Sequence, residues 1–168
     1  MITGKRNKVL AGCVLCVEIE GLYKRYFQFI GRDLYQLNTD VIRVFKTWYP
    51  LKDEPLIEDI VKDEVDFYSH TSAYIGVKQG LWFIVGRSSN IGKLENVGFY
   101  VSCAPPMGVD NIKSSHWEVW TLGHKRHYVG KLSPEYLQKY HYGYAFAPIH
   151  VLYRIKHGKY EGILPIPE

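Results

Sequence analysis

The sequence is poor in cysteine, and its three cysteines are unevenly spaced, at positions 13, 16 and 103. An odd number at this spacing argues against a disulfide framework and predicts a reducing, cytoplasmic environment. The sequence also lacks an uninterrupted apolar run of roughly 18 residues, so we expect neither a membrane span nor a membrane partner. The basic N-terminus precedes only the short apolar run from Val9 to Val17, without a cleavage pattern, which predicts mature sequence rather than a secretory signal.

Two of the cysteines, Cys13 and Cys16, form a Cys-x-x-Cys pair within GCVLCVEIEG. A redox dithiol places its first cysteine at a helix N-terminus, where the dipole lowers the thiol pKa, whereas this pair lies in a strand pattern. Residues three apart on a strand point to opposite faces, so we expect Cys13 to point inward with Leu15 and Cys16 outward with Glu18. A zinc site needs two further ligands, and Cys103 has no second cysteine near it. The pattern predicts structural cysteines, no metal site and no cofactor.

The usual catalytic signatures are missing as well: the sequence has no G-x-S-x-G, P-loop, dinucleotide fingerprint or H-E-x-x-H. His124 and His127 form H-x-x-H, but at a predicted hairpin tip with no acidic residue nearby. His70 follows Asp66 by four in VDFYSHTS, and on a helix the carboxylate could orient the imidazole for acid–base chemistry. On a strand the two side chains share a face without an implied contact. We therefore predict no catalytic residue, and a small hydrolase using Asp66 and His70 is an alternative.

The chain is rich in apolar and aromatic residues instead, with 46% hydrophobic and 15% aromatic content. This much apolar surface can offset the ordering entropy of a folded core. The length of 168 residues, with no internal repeat or long linker, predicts a single domain over residues 1–168. The many tyrosines suit a half-hydrated β-surface or a recognition face.

Alternating apolar residues predict strands through much of the first half. The segment around Leu15 and YKRYFQFIG forms a predicted hairpin with its turn at Glu20 to Leu22, and VIRVF is strongly β-prone. DEPLIEDIVKDE predicts a helix, because Asp53 can cap it, Pro55 lies in its first turn and the apolar residues recur at helical spacing. The stretch from Val65 to Gly86 predicts two strands with a turn near residues 79 and 80.

The second half predicts a loop at RSSNIGKLEN, a strand at NVGFYVS and a loop at APPMGVDNIKSS. HWEVWTL and HYVGKL predict a hairpin, and residues 133–139 a short helix. PIHVLYRIKHG alternates like a strand, yet Pro148 and Gly158 are helix boundary residues, and we favour a helix. The predicted fold class is α+β, with a twisted, mostly antiparallel sheet and two or three short helices packed on it.

Charge is unevenly distributed along the chain. The net charge is +4, but the segment from Asp53 to Asp66 carries −6 and the remainder about +10. A solvated helix face is one explanation of the acidic segment. The other is a surface for an electropositive partner, in which carboxylates steer the partner and nearby aromatic rings anchor it. On this interpretation the partner-binding residues are Trp48, Tyr49, Asp53, Glu54, Glu58, Asp59 and Asp63.

The basic region from Lys113 to Lys159 is interleaved with tyrosines, as in KYHYGY. Such a mix could bind RNA through phosphate contacts and stacking, although an amphipathic surface has the same composition. A small RNA-binding module is therefore the alternative from another functional class.

The order of features in the first half resembles a known family. AGCVLCVEIEGLYKRYFQFIGRDLYQLNTDVIRVF, YPLKDEPLIEDIVKDEVDFYSHT and GLWFIVGRSSNIGKLENV together resemble the bacterial proteins grouped with immunity protein 26, over roughly residues 9 to 100. Cys13 to Leu15 depart from that pattern. The resemblance implies a small cytoplasmic protein, encoded with polymorphic toxins, that binds and neutralises a cognate toxin, and it supplies no catalytic residue. We therefore expect a non-enzymatic binding protein whose partner is a protein toxin rather than nucleic acid.

Overall fold

The fold is α+β in the computed structural model, which describes residues 8–103, 113–162 and 164–168. The strands, in chain order, are β1 (Cys13–Ile19), β2 (Tyr23–Asp33), β3 (Thr39–Phe45), β4 (Tyr49–Pro50), β5 (Val65–His70), β6 (Phe83–Arg87), β7 (Gly98–Ser102), β8 (Lys113–Ser114), β9 (Trp117–Thr121), β10 (His127–Gly130), β11 (Tyr140–Tyr142) and β12 (Ile166–Pro167). The α-helices are α1 (Ile57–Ile60), α2 (Ala73–Lys78), α3 (Pro134–Lys139) and α4 (Pro148–His157). The predicted fold class is confirmed, and the described strands divide into three sheets.

The first sheet has the order β5-β3-β2-β1-β6, with β4 paired to β2, and all of its pairs are antiparallel. Its β1–β2 hairpin is the one predicted from the alternation, with Ile19 opposite Tyr23. Glu20 and Gly21 have φ of 53° and 68°, the left-handed conformation that lets the chain reverse within this short connection. The sheet therefore begins at the Cys-x-x-Cys segment.

Both faces of the first sheet are covered. On one face Cys13, Leu15 and Phe27 pack with Val151 and Ile155 of α4. On the other face a smaller cluster is built around α1 and is formed by Val14, Cys16, Tyr26, Phe45, Ile60 and Val61. The two cysteines lie on opposite faces, as the strand period predicts. The prediction that Cys16 points outward is wrong, because α1 covers that face and leaves the residue 1% exposed.

The second sheet has the order β10-β9-β7-β11. The predicted β9–β10 hairpin is confirmed, whereas β11 pairs with β7 in parallel and was not predicted. A shared apolar cluster connects this sheet to the first and contains Ile30, Val41, Val97, Phe99 and Trp120. The third sheet is the parallel pair β8–β12. Residues 104–112 of the predicted loop APPMGVDNIKSS lie outside the described residues.

The helix at PIHVLYRIKHG is confirmed as α4. Pro148 occupies its first turn, and Gly158 ends it with φ 76°. The helix predicted in DEPLIEDIVKDE is shorter than expected, because α1 has a single turn. Leu56 immediately before it is extended, and Asp53 is not its cap, since Pro55 disfavours helical backbone at the residue that precedes it. Among the described residues, no helix combines the length and apolar character needed to cross a membrane.

The two strands predicted between Val65 and Gly86 are confirmed as β5 and β6, as is the turn near residues 79 and 80, but the helix α2 between the strands was not predicted. The hydroxyl of Ser72 accepts a hydrogen bond from the backbone N–H of Ile75 and caps the helix. The Trp82 indole donates to the Ala73 carbonyl at 2.9 Å, and a Cβ on Gly76 would lie 2.0 Å from the Trp82 ring. The helix therefore depends on a close tertiary fit to Trp82, which strand propensities do not indicate.

Candidate functional site

A groove of about 560 Å³ lies on the α1 side of the first sheet. Strands β1 and β2 form its floor, and the α1 segment and β6 form its walls. We call it the acidic groove and define it by its lining residues, which are Cys16, Glu18, Lys24, Tyr26, Leu51, Glu54, Pro55, Leu56, Ile57, Ile60, Phe83 and Val85.

The acidic groove gathers exposed apolar side chains. Leu56 is 71% exposed, Phe83 47% and Val85 39%, on the two facing walls. Single exposed apolar residues are ordinary, but several around one concave surface are typical of an interaction site. Strand β6, which carries two of them, pairs with β1 on one side and has no other strand partner in the described part of the chain.

Negative charge dominates the rim of the groove. Glu18 and Glu54 line it, and Lys24 is the single basic residue among the described lining residues. Within residues 8–103, 113–162 and 164–168, neither glutamate forms an ion pair. These carboxylates are therefore free to pair with a cationic partner.

The Cys16 thiol and the Tyr26 hydroxyl of the groove floor are neutral at physiological pH. Burial raises the pKa of Tyr26 to about 12, and the Glu54 carboxylate contributes in the same direction. Burial also raises the pKa of the Cys16 thiol to about 11, so this thiol is protonated and is a poor nucleophile. Burial, followed by the nearby Asp63 and Asp59 carboxylates, raises the pKa of Tyr49. The floor is therefore suited to packing and hydrogen bonding rather than to covalent chemistry.

One of the predicted partner-binding residues lines the groove, and three others are next to lining residues along the chain. Glu54 lines it, and Glu58 and Asp59 are exposed in the first turn of α1. Asp53 precedes Glu54 directly and forms no ion pair with any described residue. The ring of Tyr49 packs edge-on against the lining residue Tyr26 at a centroid distance of 5.4 Å, on the α1 face of the sheet.

The structure separates Asp63 from this surface, because its carboxylate has structural partners. It accepts hydrogen bonds from the backbone N–H groups of Thr47 at 2.9 Å and Glu64 at 2.7 Å. Asp63 therefore fixes the turn after α1. Its neighbour Glu64 pairs with Lys46, so neither carboxylate is free.

Trp48 also lies apart from the groove. Its ring packs against Tyr23 at 6.1 Å, and the Arg25 guanidinium lies 5.3 Å from the ring centroid. Arg25 belongs to the α4 face of the sheet, since it donates to the Ile155 carbonyl at 2.9 Å. Trp48 and Tyr49 therefore pack on opposite faces of the first sheet. They do not form the single aromatic anchor predicted for the partner-binding surface.

The apolar walls of the groove are the part that sequence reasoning missed. Phe83 and Val85 lie in the apolar run LWFIV, and Leu56 lies in DEPLIEDIVKDE, whose apolar residues predict a helix; neither pattern indicates an exposed apolar wall. The signal for Glu18 was present, because strand alternation placed it on the same face as Cys16.

The pair required by the hydrolase alternative does not meet. Asp66 pairs with Arg25 at 2.8 Å and lines a cavity between α4 and β11. His70 is fully buried outside that cavity, and its Nε2 lies 3.0 Å from Asp33 Oδ2. The described residues also contain no group of three or more His, Cys, Asp or Glu side chains placed to hold a metal ion.

The tyrosines of the basic C-terminal region pack largely on one another. Tyr100, Tyr142, Tyr144, Phe146 and Tyr160 form a continuous series of ring contacts with centroid distances from 3.8 to 6.2 Å. These rings contribute to the core and its margin. The RNA-binding alternative stays a prediction.

Comparison with known proteins returns no match: no family model, no curated protein and no solved structure is similar to this chain. The resemblance to immunity protein 26 therefore stays a prediction, and the groove is interpreted from its own chemistry.

Proposed function

We propose that the protein is a non-enzymatic binding protein that holds another protein in the acidic groove. The observation that carries this proposal is that Leu56, Phe83 and Val85 share one concave surface with Glu18 and Glu54, which pair with no cation in the described part of the chain. Apolar centres with a polar, charged rim are typical of protein interfaces. The complementary partner presents an apolar side chain flanked by lysine or arginine.

The partner in this proposal is a bacterial toxin that the protein neutralises in the cytoplasm. The resemblance of residues 9 to 100 to immunity protein 26 supports this choice, and so does the acidic rim. Carboxylates on the rim accelerate the encounter with a basic toxin, and the buried apolar contacts hold the complex. In this proposal the protein neutralises the toxin by covering part of the toxin surface.

Co-expression tests the function. Toxins encoded beside the gene are expressed in a bacterial host with and without this protein, and the expected result is that the protein restores growth against one of them. Protection against none of the neighbouring toxins would contradict the toxin proposal.

Charge reversal then locates the interface. Glu54→Lys places a positive charge in the groove, and Glu95→Lys makes the same change at an exposed residue that does not line the groove. We expect Glu54→Lys to weaken protection and Glu95→Lys to retain it. Equal protection by the two variants would show that the toxin binds elsewhere.

A further inference from the structure

A second cavity, of about 500 Å³, lies on the other side of the first sheet from the acidic groove. Residues at the end of α4 and in β11 line it, together with Gly162, Leu164 and Ile166. We call it the tyrosine pocket, because Tyr100, Tyr140, Tyr142 and Tyr160 line it. Its volume matches that of pockets that hold small organic molecules.

The tyrosine pocket contains a guanidinium without a carboxylate partner. The Arg154 Cζ lies 3.8 Å from the Phe67 ring centroid and 4.7 Å from that of Tyr160. In the described part of the chain, Arg154 forms no ion pair. The two rings hold the guanidinium at the pocket wall, where its N–H donors can bind an anion.

The single carboxylate among the described lining residues does not neutralise this charge. Asp66 is paired with Arg25 at 2.8 Å, so its charge is already compensated. Lys159, at the mouth of the pocket, also has no ion pair with any described residue. The tyrosine pocket therefore has an excess of positive charge and favours an anion.

Neutral polar groups complete the lining. Burial, followed by the positive charge of Arg154, lowers the pKa of His141 to about 4, so the imidazole is neutral at physiological pH. No described residue forms a hydrogen bond with its ring nitrogens. Burial raises the pKa of the Tyr100 and Tyr140 hydroxyls, which are therefore protonated donors. The rings themselves offer flat apolar walls.

We infer that the tyrosine pocket binds a small organic anion, whose carboxylate or phosphate pairs with Arg154 while its planar ring lies against the tyrosine rings. A nucleotide and an aromatic acid share this chemistry, and the ring-plus-anion combination uses both the free guanidinium and the aromatic walls. This site is separate from the acidic groove, so it is independent of the proposed protein-binding function.

The test titrates the full chain with four probes and follows binding by NMR chemical shifts. Adenosine 5′-monophosphate and benzoate carry the anion, whereas adenosine and benzamide carry the same rings without it. We expect at least one anion to saturate the protein and its neutral counterpart to bind at least about tenfold more weakly, because the charge-assisted hydrogen bonds are lost. The anion that binds distinguishes a nucleotide from an aromatic acid. Failure of both anions to saturate at millimolar concentration would overturn the inference.

Amino-acid substitutions test whether the anion binds in the tyrosine pocket. Arg154→Gln should weaken the anion at least about tenfold, and Lys156→Gln, which removes a charge from the same helix outside the lining, should leave its affinity unchanged. If Arg154→Gln does not fold, Lys159→Gln replaces it, since Lys159 is exposed and its loss should weaken binding severalfold. If the variant that is tested, Arg154→Gln or its replacement Lys159→Gln, binds the anion with unchanged affinity, the anion binds elsewhere.

Discussion

The imidazole of His70 and the carboxylate of Asp33 lie 3.0 Å apart, from Nε2 to Oδ2, with both side chains completely buried. The Trp120 indole donates to the same oxygen at 3.0 Å, and the Gln36 backbone N–H donates to Oδ1 at 3.0 Å. One carboxylate thus connects β5, β2 and β9, which belong to two different sheets. Burial alone would raise the pKa of Asp33, but the hydrogen bonds from His70, Trp120 and Gln36 lower it overall.

Replacing this carboxylate should be costly. Asp33→Ala leaves the three donors without an acceptor, and removing one partner from a buried polar network costs about 3 to 5 kcal/mol of the free energy of unfolding. Asp53→Ala, at a carboxylate without an ion pair among the described residues, should change it by less than about 0.5 kcal/mol. Urea denaturation of the two variants measures both values. Similar stabilities would show that the sheets do not depend on this network.

The stability of the protein should fall as the pH is lowered from about 6.5 to about 4. The pKa of His141 is about 4 in the folded protein, below the ordinary histidine value of 6.5, so the unfolded chain takes up the proton first. This difference should remove about 2 to 3 kcal/mol of the free energy of unfolding between pH 7.5 and pH 4.5.

Denaturation of the wild type and of His141→Gln at the two pH values measures this contribution. The variant should lose less stability than the wild type, whereas His127→Gln, at an exposed histidine, should lose as much as the wild type. A His141→Gln variant with the wild-type pH dependence would contradict the assignment.

The three thiols should differ in reactivity. Cys103 is exposed, whereas Cys13 and Cys16 are buried, and burial raises the pKa of the Cys16 thiol to about 11. We therefore expect a thiol reagent to modify one cysteine rapidly in the native protein and all three after unfolding. Cys103→Ser should abolish the rapid reaction. Rapid labelling of Cys16, or a disulfide between Cys13 and Cys16, would contradict the buried-strand assignment.

The sequence predicted the structure best where the spacing of its apolar residues matched the period of one strand or helix. Strand alternation predicted the β1–β2 hairpin and placed Cys13 and Cys16 on opposite faces, and terminal residues identified α4. Arg25 lies on the same face of β2 as Phe27, and its hydrogen bonds explain why this face accommodates a cation. Its guanidinium donates to Ile155, Phe45 and Asp66, at 2.9, 2.6 and 2.8 Å.

Features that depend on distant segments could not be read from local patterns. The helix α2 forms against Trp82, and β11 becomes a strand by pairing in parallel with β7. Phe83 is exposed on the groove wall although it lies in an apolar run, so its sequence context did not indicate the apolar wall of the acidic groove. Of the two rim carboxylates, Glu54 belongs to the predicted acidic segment, whereas the position of Glu18 beside it and the concave surface between them require the fold.

The affinity of this protein for its proposed toxin partner, measured by calorimetry for two matched variants, tests the acidic groove most directly. Leu56→Asp and Leu34→Asp replace leucines that are 71% and 73% exposed, the first on the groove wall and the second beyond the far end of β2. Aspartate is a favoured residue at the N-terminal cap position that Leu56 occupies, so this change should not impair folding. We predict that Leu56→Asp weakens binding by about tenfold or more and that Leu34→Asp leaves it unchanged. Equal affinities of the two variants would contradict the assignment of the groove as the binding surface.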